Sequence, residues 1–236
     1  MTESAGSIRA MNRERITEAI LAAAREQIAA DGASGLSLRA IARELKMASS
    51  AVYRYFPSRD DLLTQLIIDS YNSLGAAAEE AHGQVAHDDV ATRFRAIVGS
   101  VRRWALHNRH EYFLIYGTPV PGYRAPQDTV GPATRVSVLL LGLLVDVAAQ
   151  RQESAPPLPE PVGLRLAIEP IAQFAPPQIP QDLLVVGVGV LSSLLGAVSA
   201  ELGGQLHNVI TETTASRDVF FDALVEHWLS GLGVSH

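Results

Sequence analysis

The sequence predicts an all-α fold, with a small N-terminal bundle of three helices and a larger helical body. Apolar residues recur at spacings of three and four along most of the chain, and no stretch shows the alternation typical of a β-strand. Two short segments with the apolar spacing of a helix lie on either side of residue 47, and neither is long enough to form a stable helix alone. Of the 236 residues, 47% are hydrophobic, which is enough to build a sizeable core.

The first two helices can be placed from their apolar faces and caps. Residues 16–28 carry one apolar face, and the loop 31–35 follows it. Ser37 is a suitable N-cap for the second helix, because apolar residues follow it at offsets of three and four. Residues 46–48 interrupt that apolar face, so the second helix is predicted to end there.

A third short helix is predicted at residues 51–56, capped by Ser49 or Ser50. Val52 and Phe56 are four residues apart and should therefore point the same way. Pro57 ends the helix, because proline restricts the residue before it and has no N–H group.

A fourth helix should begin directly after Pro57. Ser58 with Asp61 three residues later resembles a capping box. Before this point, two short helices crossed at a tight turn would form a helix-turn-helix, which places its second helix in the major groove of DNA.

This segment resembles the DNA-binding domain of TetR-type regulators. The resemblance is carried by the aromatic run Val-Tyr-Arg-Tyr-Phe at 52–56 and the link Pro-Ser-Arg-Asp at 57–60, and it extends upstream through the first helix. At the turn the family usually has Gly, a small β-branched residue and Ser or Thr; this chain has Lys-Met-Ala at 46–48, which predicts a somewhat different turn geometry. The resemblance implies a DNA-binding domain at 1–59 and a helical effector-binding and dimerisation domain at 60–236.

Side chains of the third helix that face away from its buried side are predicted to reach base edges. Arginine pairs well with guanine, serine is permissive, and alanine can meet a thymine methyl. The base-contact candidates are Ser49, Ser50, Ala51 and Arg54. By the resemblance, the phosphate-contact candidates are Ser37, Lys46, Tyr53, Tyr55 and Arg59.

Four further arginines are candidates for DNA contact. Arg39 could meet a base or a phosphate, while Arg9, Arg13 and Arg15 would form a basic arm before the first helix. Alternatives stay open: the two tyrosines could be core residues with a wet hydroxyl, and Arg54 could be an ordinary solvated side chain.

Charge is divided unequally along the chain. Residues 1–60 hold nine Lys or Arg against seven Asp or Glu, and the remainder holds ten against eighteen, which together give the net charge of −6. A mildly basic head on an acidic body suits a protein that touches double-stranded DNA at one end only.

The sequence predicts a regulator and no enzyme, with no cofactor and no metal. The absence of cysteine excludes disulfides, cysteine-based zinc sites and thiol catalysis, and it fits a reducing cytoplasm, as does the lack of a signal-peptide pattern. His107 and His110 are three residues apart, whereas the zinc-protease motif needs a spacing of four. A polar helix end is the favoured interpretation of these histidines, ahead of a metal site.

The body is predicted to be helical at 60–81, 88–108, 110–117, 131–151, 183–200 and 217–232. Eight of the thirteen prolines lie at 152–180, which predicts a linker or irregular cover with one or two helical turns at 164–173. The aromatic tract 104–116 resembles part of the C-terminal domain of a TetR subgroup. Its aromatic and histidine side chains are candidates for binding a small, largely apolar effector, with core packing as the alternative: Trp104, His107, Tyr112, Phe113 and Tyr116.

The uncharged stretch 183–200 is long enough to be considered as a membrane span. It lacks basic flanks and aromatic belts, and its small residues would let another helix approach closely. TetR-type regulators dimerise through their last two helices, so a homodimer interface with no membrane is favoured. The interface candidates are Gly189, Ser193, Gly196, Phe221, Val225 and Trp228.

The resulting hypothesis is a cytoplasmic repressor released from a palindromic operator by its effector. Alternatives are an activator or a ligand-independent regulator of the same fold, or a helical membrane-associated binding module.

Overall fold

The computed structural model describes the backbone of residues 2–150, 163–211 and 213–234, and the side chains within those ranges except for residues 2–9 and Arg165. Within these residues all regular secondary structure is helical, which confirms the all-α prediction. By its internal contacts the chain forms two compact units. Unit 1 contains Met1–Tyr71 and Asn108–Pro132, and unit 2 contains Asn72–His107 and Ala133–His236. This division differs from the predicted 1–59 and 60–236 because residues 60–71 and the later segment 108–132 cluster with the N-terminal helices.

Unit 1 is built around the N-terminal helices. Its members are α1 (Thr2–Asp31), α2 (Leu38–Glu44), α3 (Ser49–Tyr53), the first half of α4 (Arg59–Gly83) and α6 (Arg109–Tyr116). Their apolar faces meet in one core, which includes Ile20, Ala24, Ile41, Val52, Leu62 and Leu63, all less than 2% exposed. Ser58 caps the N-terminus of α4 as predicted. Its hydroxyl accepts the Asp61 N–H at 3.1 Å and donates to the Asp61 carboxylate at 2.7 Å.

The segment of α6 and the loop after it is anchored on the N-terminal helices. Leu114, Val120 and Tyr123 pack half-buried against the core of unit 1. The Tyr123 hydroxyl lies 2.9 Å from the Thr64 hydroxyl on α4. These contacts explain why the segment clusters with residues far away in sequence.

Unit 2 contains α5 (Val90–His107), α7 (Val130–Gln150) from Ala133 onward, α8 (Leu164–Ala167), α9 (Glu169–Ala172), α10 (Gln181–Leu202), α11 (Thr214–Leu232) and the end of α4. Residues 151–162, where part of the proline-rich linker was predicted, lie outside the described residues. Arg102 on α5 joins three helices, because its guanidinium donates to Glu201 on α10 at 2.7 and 2.8 Å and to Asp218 on α11 at 2.8 Å. The same guanidinium lies 4.9 Å from the centre of the Phe221 ring.

The predicted dimer-interface residues fall into two groups. Phe221, Val225 and Trp228 are only 5%, 4% and 6% exposed within the single chain. The wide apolar face of α11 therefore packs largely inside its own unit, and a contribution of these three residues to a dimer interface stays a prediction. The small α10 residues Gly189, Ser193 and Gly196 are exposed and available to a partner.

Two helices in the described residues have the length and composition of membrane spans, Gln127–Gln150 and Gln181–Leu202. Core helices of soluble proteins pass the same test, so this property is weak evidence for a membrane protein. In unit 2, α10 makes contacts with α5 and α11.

Candidate nucleic-acid interface

The turn between α2 and α3 is a Schellman motif with a lysine in the position that glycine usually occupies. The Met47 N–H donates to the Ala42 carbonyl at 2.8 Å, and the Lys46 N–H donates to the Arg43 carbonyl at 3.2 Å. Lys46 has φ = 53°, in the left-handed region that glycine adopts without strain. The expected difference from the turn geometry of the family stays a prediction.

Helix α3 begins two residues earlier than predicted and has no side-chain cap. Its N-cap is Ala48, so the expectation that Ser49 or Ser50 caps the helix is wrong. Both serines lie in the first turn and are exposed. Val52 is fully buried and Phe56 is 7% exposed, which fixes the opposite side of α3 toward solvent.

The outward side of α3 carries the predicted base-contact side chains. Ser49, Ser50 and Arg54 are exposed and Ala51 is half-buried. Tyr53 is 39% exposed although it is a large aromatic residue. The exposed residues Arg39 on α2 and Lys46 in the turn belong to the same helix-turn-helix. The helix-turn-helix therefore presents a polar and basic surface to solvent, while its other side packs into the core of unit 1.

Ser37 and Tyr55 have structural contacts of their own. The Ser37 hydroxyl accepts the Ala40 N–H at 3.4 Å, which confirms it as the N-cap of α2, and its backbone N–H donates to the Gln27 side-chain carbonyl at 3.1 Å. Tyr55 is half-buried against the core, with the Arg13 guanidinium 5.3 Å from its ring centre. These contacts favour the alternative that the Tyr55 ring is a core residue, so a phosphate contact would use only its hydroxyl group.

Arg59 has a role that the sequence did not predict. Its guanidinium donates to the backbone carbonyls of Ala33 at 2.8 Å, Leu36 at 3.2 Å and Ser34 at 3.4 Å. The side chain therefore holds the turn between α1 and α2 against the start of α4. Another of its nitrogens lies 3.6 Å from the Asp60 carboxylate, and the side chain is 31% exposed, so the phosphate contact stays a prediction beside this structural role.

The N-terminal arginines do not form an arm that precedes the first helix. Helix α1 begins at Thr2, so Arg9, Arg13 and Arg15 all lie within it. Arg13 and Arg15 are exposed, and the side chain of Arg9 lies outside the described residues. The predicted position of this basic arm before the first helix is therefore wrong, whereas contact of these arginines with the DNA backbone or minor groove stays a prediction.

The predicted effector-binding residues are split between the two units. In unit 2, the Trp104 indole N–H donates to the Ser73 hydroxyl at 2.9 Å, and His107 is exposed, with Nδ1 2.7 Å from the Arg103 carbonyl. In unit 1, Tyr112 is fully buried and packs against Phe113 and Tyr116 at ring-centre distances of 5.8 and 5.3 Å.

Tyr116 also meets Tyr71 edge to face at 5.9 Å. Burial raises the pKa of the Tyr116 phenol, so it stays protonated. These ring contacts favour core packing for the fully buried Tyr112, and effector contact by the half-buried Tyr116 stays a prediction. The exposed position of His107 in unit 2 does not favour an apolar site around it.

Family models identify both parts of the chain. The model of bacterial regulatory proteins of the tetR family matches residues 20–66, and the model of a tetracyclin repressor-like C-terminal domain matches residues 94–228, more than half of the chain. The chain belongs to the TetR family. TetR-family proteins of this kind are helix-turn-helix transcriptional regulators, and the motif α2–turn–α3 lies wholly inside the matched N-terminal segment.

Relatives and solved structures agree with this TetR assignment. The HTH-type transcriptional regulators Rv1816 of Mycobacterium tuberculosis and Mb1846 of Mycobacterium bovis are each 50% identical over 125 residues, covering 52% of this chain and 53% of theirs. The chain therefore spans about half the length of the curated relatives that it matches. The crystal structure of regulatory protein SCO4313 is 31% identical, with a TM-score of 0.76 over 93% of this chain and 98% of that one. PfmR from Thermus thermophilus shares the fold at 18% identity, with a TM-score of 0.56 and coverage of 90% and 98%.

Two supporting residues of the TetR-type head could not be found from the sequence alone. Gln27 positions Ser37 from ten residues away, and Arg59 binds carbonyl groups from 23 to 26 residues away. Neither residue breaks a local pattern, so periodicity and capping rules give no signal for them.

Proposed function

We propose that this TetR-family protein is a homodimeric repressor that inserts α3 into the major groove of a palindromic operator. The observation that supports this most directly is the two-sided character of α3. Val52 and Phe56 fix one side in the core, while Arg54 and the serines before it face solvent. Two copies related by a two-fold axis would present α3 twice, to half-sites about one helical turn or a multiple apart.

Each exposed side chain is given a role by its chemistry. Arg54 reads guanine through its major-groove acceptors, and Ser49, Ser50 and Ala51 contact neighbouring base edges. Tyr53, Lys46 and the Ser37 hydroxyl bind phosphate, with Tyr55 contributing its hydroxyl only and Arg39 a base or a phosphate. Arg59 would contact phosphate only with the N–H groups that do not hold the turn between α1 and α2.

A small, largely apolar effector is proposed to release the operator. Membership in a family of ligand-responsive regulators and the apolar, mostly helical unit 2 support this part. A ligand weakens DNA binding only by preferring the conformation that does not fit the operator, and a clean switch needs a preference of about 5.5 kcal/mol. A cytoplasmic location, no cofactor and no membrane association complete the proposal.

The DNA part is tested by selecting bound fragments from genomic DNA and measuring the affinity of variants for them. Tyr53→Ala should weaken binding to every fragment, because it removes a phosphate contact. Arg54→Ala should relax preference at one base position, with a change of about 1–3 kcal/mol there. Arg124→Ala, which removes an exposed arginine from a loop of the same unit, is the matched control and should bind normally.

Normal operator binding by Tyr53→Ala would show that the proposed docking of α3 is wrong. Recovery of bound fragments that share no common sequence would argue against a sequence-specific operator.

A further inference from the structure

Unit 1 contains a cleft that the proposed function does not use. It lies between the end of α1 with its following turn on one side, and α6 with its following loop on the other, and its volume is about 470 Å³. Ile28, Phe113, Leu114 and Val120 supply its apolar surface. A volume of this size falls within the range of small-molecule sites.

The lining chemistry selects the kind of molecule that fits. No Lys, Arg, Asp or Glu is among the residues that line this cleft. Its polar side chains are Ser34, His110 and Thr118, all exposed and able to donate or accept hydrogen bonds. A charged ligand would find no Lys, Arg, Asp or Glu partner in the lining, whereas a neutral ring with a hydroxyl group would find apolar walls and hydrogen-bond partners.

A second cleft, in unit 2, provides a contrast. Arg95, Arg102, Asp218 and Glu226 line it, and these side chains already form ion pairs at 2.7 to 2.8 Å. A neutral apolar molecule placed there would have to displace paired charges. The cleft of unit 1 has no such competition, and so it is the better site for an uncharged ligand.

We infer that the cleft between α1 and α6 is a binding site for a small neutral aromatic alcohol of the phenol or naphthol class. The ring would lie against Phe113 and the loop prolines Pro119 and Pro121, and its hydroxyl would meet Ser34, Thr118 or His110. Ala33 and Ser34 line the cleft and also offer the carbonyl groups that Arg59 binds. An occupant therefore contacts the turn that Arg59 fixes to the start of α4.

The site goes beyond the proposed function, and its test uses no DNA. The probe is 2-naphthol, titrated against the full chain by calorimetry, with ligand-observed NMR to confirm contact. Thr118→Phe should fill the cleft and reduce affinity at least tenfold. Thr211→Phe, the same change at an exposed threonine of unit 2, should leave affinity unchanged.

Two smaller variants keep the test valid if Thr118→Phe fails to fold. Ser34→Ala and His110→Ala each remove one candidate hydrogen-bonding group from an exposed position, and at least one of them should weaken affinity for the probe about 2- to 10-fold. Circular dichroism would confirm that the fold is kept. Absence of 2-naphthol binding, or binding that both small variants and Thr118→Phe leave unchanged, would overturn the inference.

Discussion

In the helix-turn-helix, Lys46 has a left-handed backbone conformation that glycine adopts more easily than lysine. Two other helices of the chain end in the same hydrogen-bond pattern, and there the left-handed residues are Gly204 with φ = 74° and Gly233 with φ = 77°. An L-residue in this region costs about 1–2 kcal/mol, while glycine costs about 0.5–1 kcal/mol in lost unfolded-state freedom. The lysine at this position therefore costs stability, and the proposed phosphate contact would be a reason to keep it.

Lys46→Gly should raise the free energy of unfolding by about 0.5–1 kcal/mol, because relief of strain exceeds the added entropy of the unfolded chain. The same variant should weaken operator binding and reduce the salt dependence of that binding by about one unit of slope. Urea denaturation measures the first effect, and affinity measured against salt concentration measures the second.

Lys46→Ala is the matched control, since it removes the charge and keeps the strain. It should lose operator affinity as the glycine variant does, without the gain in stability. An equal gain in both variants would show that charge, and not backbone conformation, limits the stability of the turn.

At the scale of helices, Gly75 in α4 allows α7 to pack closely. A Cβ atom built on Gly75 would lie 2.7 Å from Arg135 Nε and 2.9 Å from Arg135 Cβ. Arg135 lies on α7 and binds two residues of α4. Its Nε donates to Glu79 at 2.8 Å, and its guanidinium also donates to the Asn72 carbonyl at 2.8 Å. Because Arg135 Cβ is fixed to the backbone, rotation of the side chain alone cannot make room.

Gly75→Ala should therefore lower the free energy of unfolding, by up to about 2 kcal/mol. Overpacking costs about 1–3 kcal/mol, and the better helix propensity of alanine returns about 1 kcal/mol. Gly142→Ala in α7 is the control, because nothing lies within 4 Å of the position that its new methyl group would take, and it should be stabilising by about 1 kcal/mol. Thermal and urea unfolding would separate the two, and stabilisation by both substitutions would contradict the close packing of α4 and α7.

The helices of the body were predictable because their apolar periodicity is long. The predicted 88–108, 131–151 and 217–232 correspond to Val90–His107, Val130–Gln150 and Thr214–Leu232. Caps were less certain, because several hydroxyl residues compete in a short stretch. Ser58 caps α4 as expected, whereas Ser49 and Ser50 leave the capping position of α3 to Ala48.

Most of the features that apolar periodicity could not predict depend on contacts between residues distant in sequence. The hydrophobic residues Phe221 and Trp228 signalled burial correctly, but periodicity cannot distinguish a partner subunit from the inside of the same unit. The same limit applies to Arg59, whose three carbonyl partners come from a turn more than twenty residues earlier. The resemblance to TetR-type regulators, together with its basic character, made Arg59 a candidate for contact with phosphate.

For the whole molecule, α10 presents an uncharged face that a second copy of the chain could cover. Its segment 183–200 carries no charge, yet Val188 is 40% exposed and Gly189, Ser193 and Gly196 face solvent at spacings of four and three. Small residues at these spacings form a shallow groove in which another helix can pack closely. A second α10, related by a two-fold axis, would cover this uncharged face without any contribution from the buried face of α11.

Gly196→Arg should convert the proposed dimer to a monomer, because each copy would place a long charged side chain in the contact between helices. Analytical ultracentrifugation measures the change directly. Gly83→Arg, at an exposed glycine with open space around its Cβ position, is the matched control and should stay dimeric. The monomeric variant should also lose affinity for a two-half-site operator while keeping weak binding to a single half-site. A dimer unaffected by Gly196→Arg would place the interface elsewhere on the chain, and a monomeric parent protein would remove the two-fold operator from the proposal.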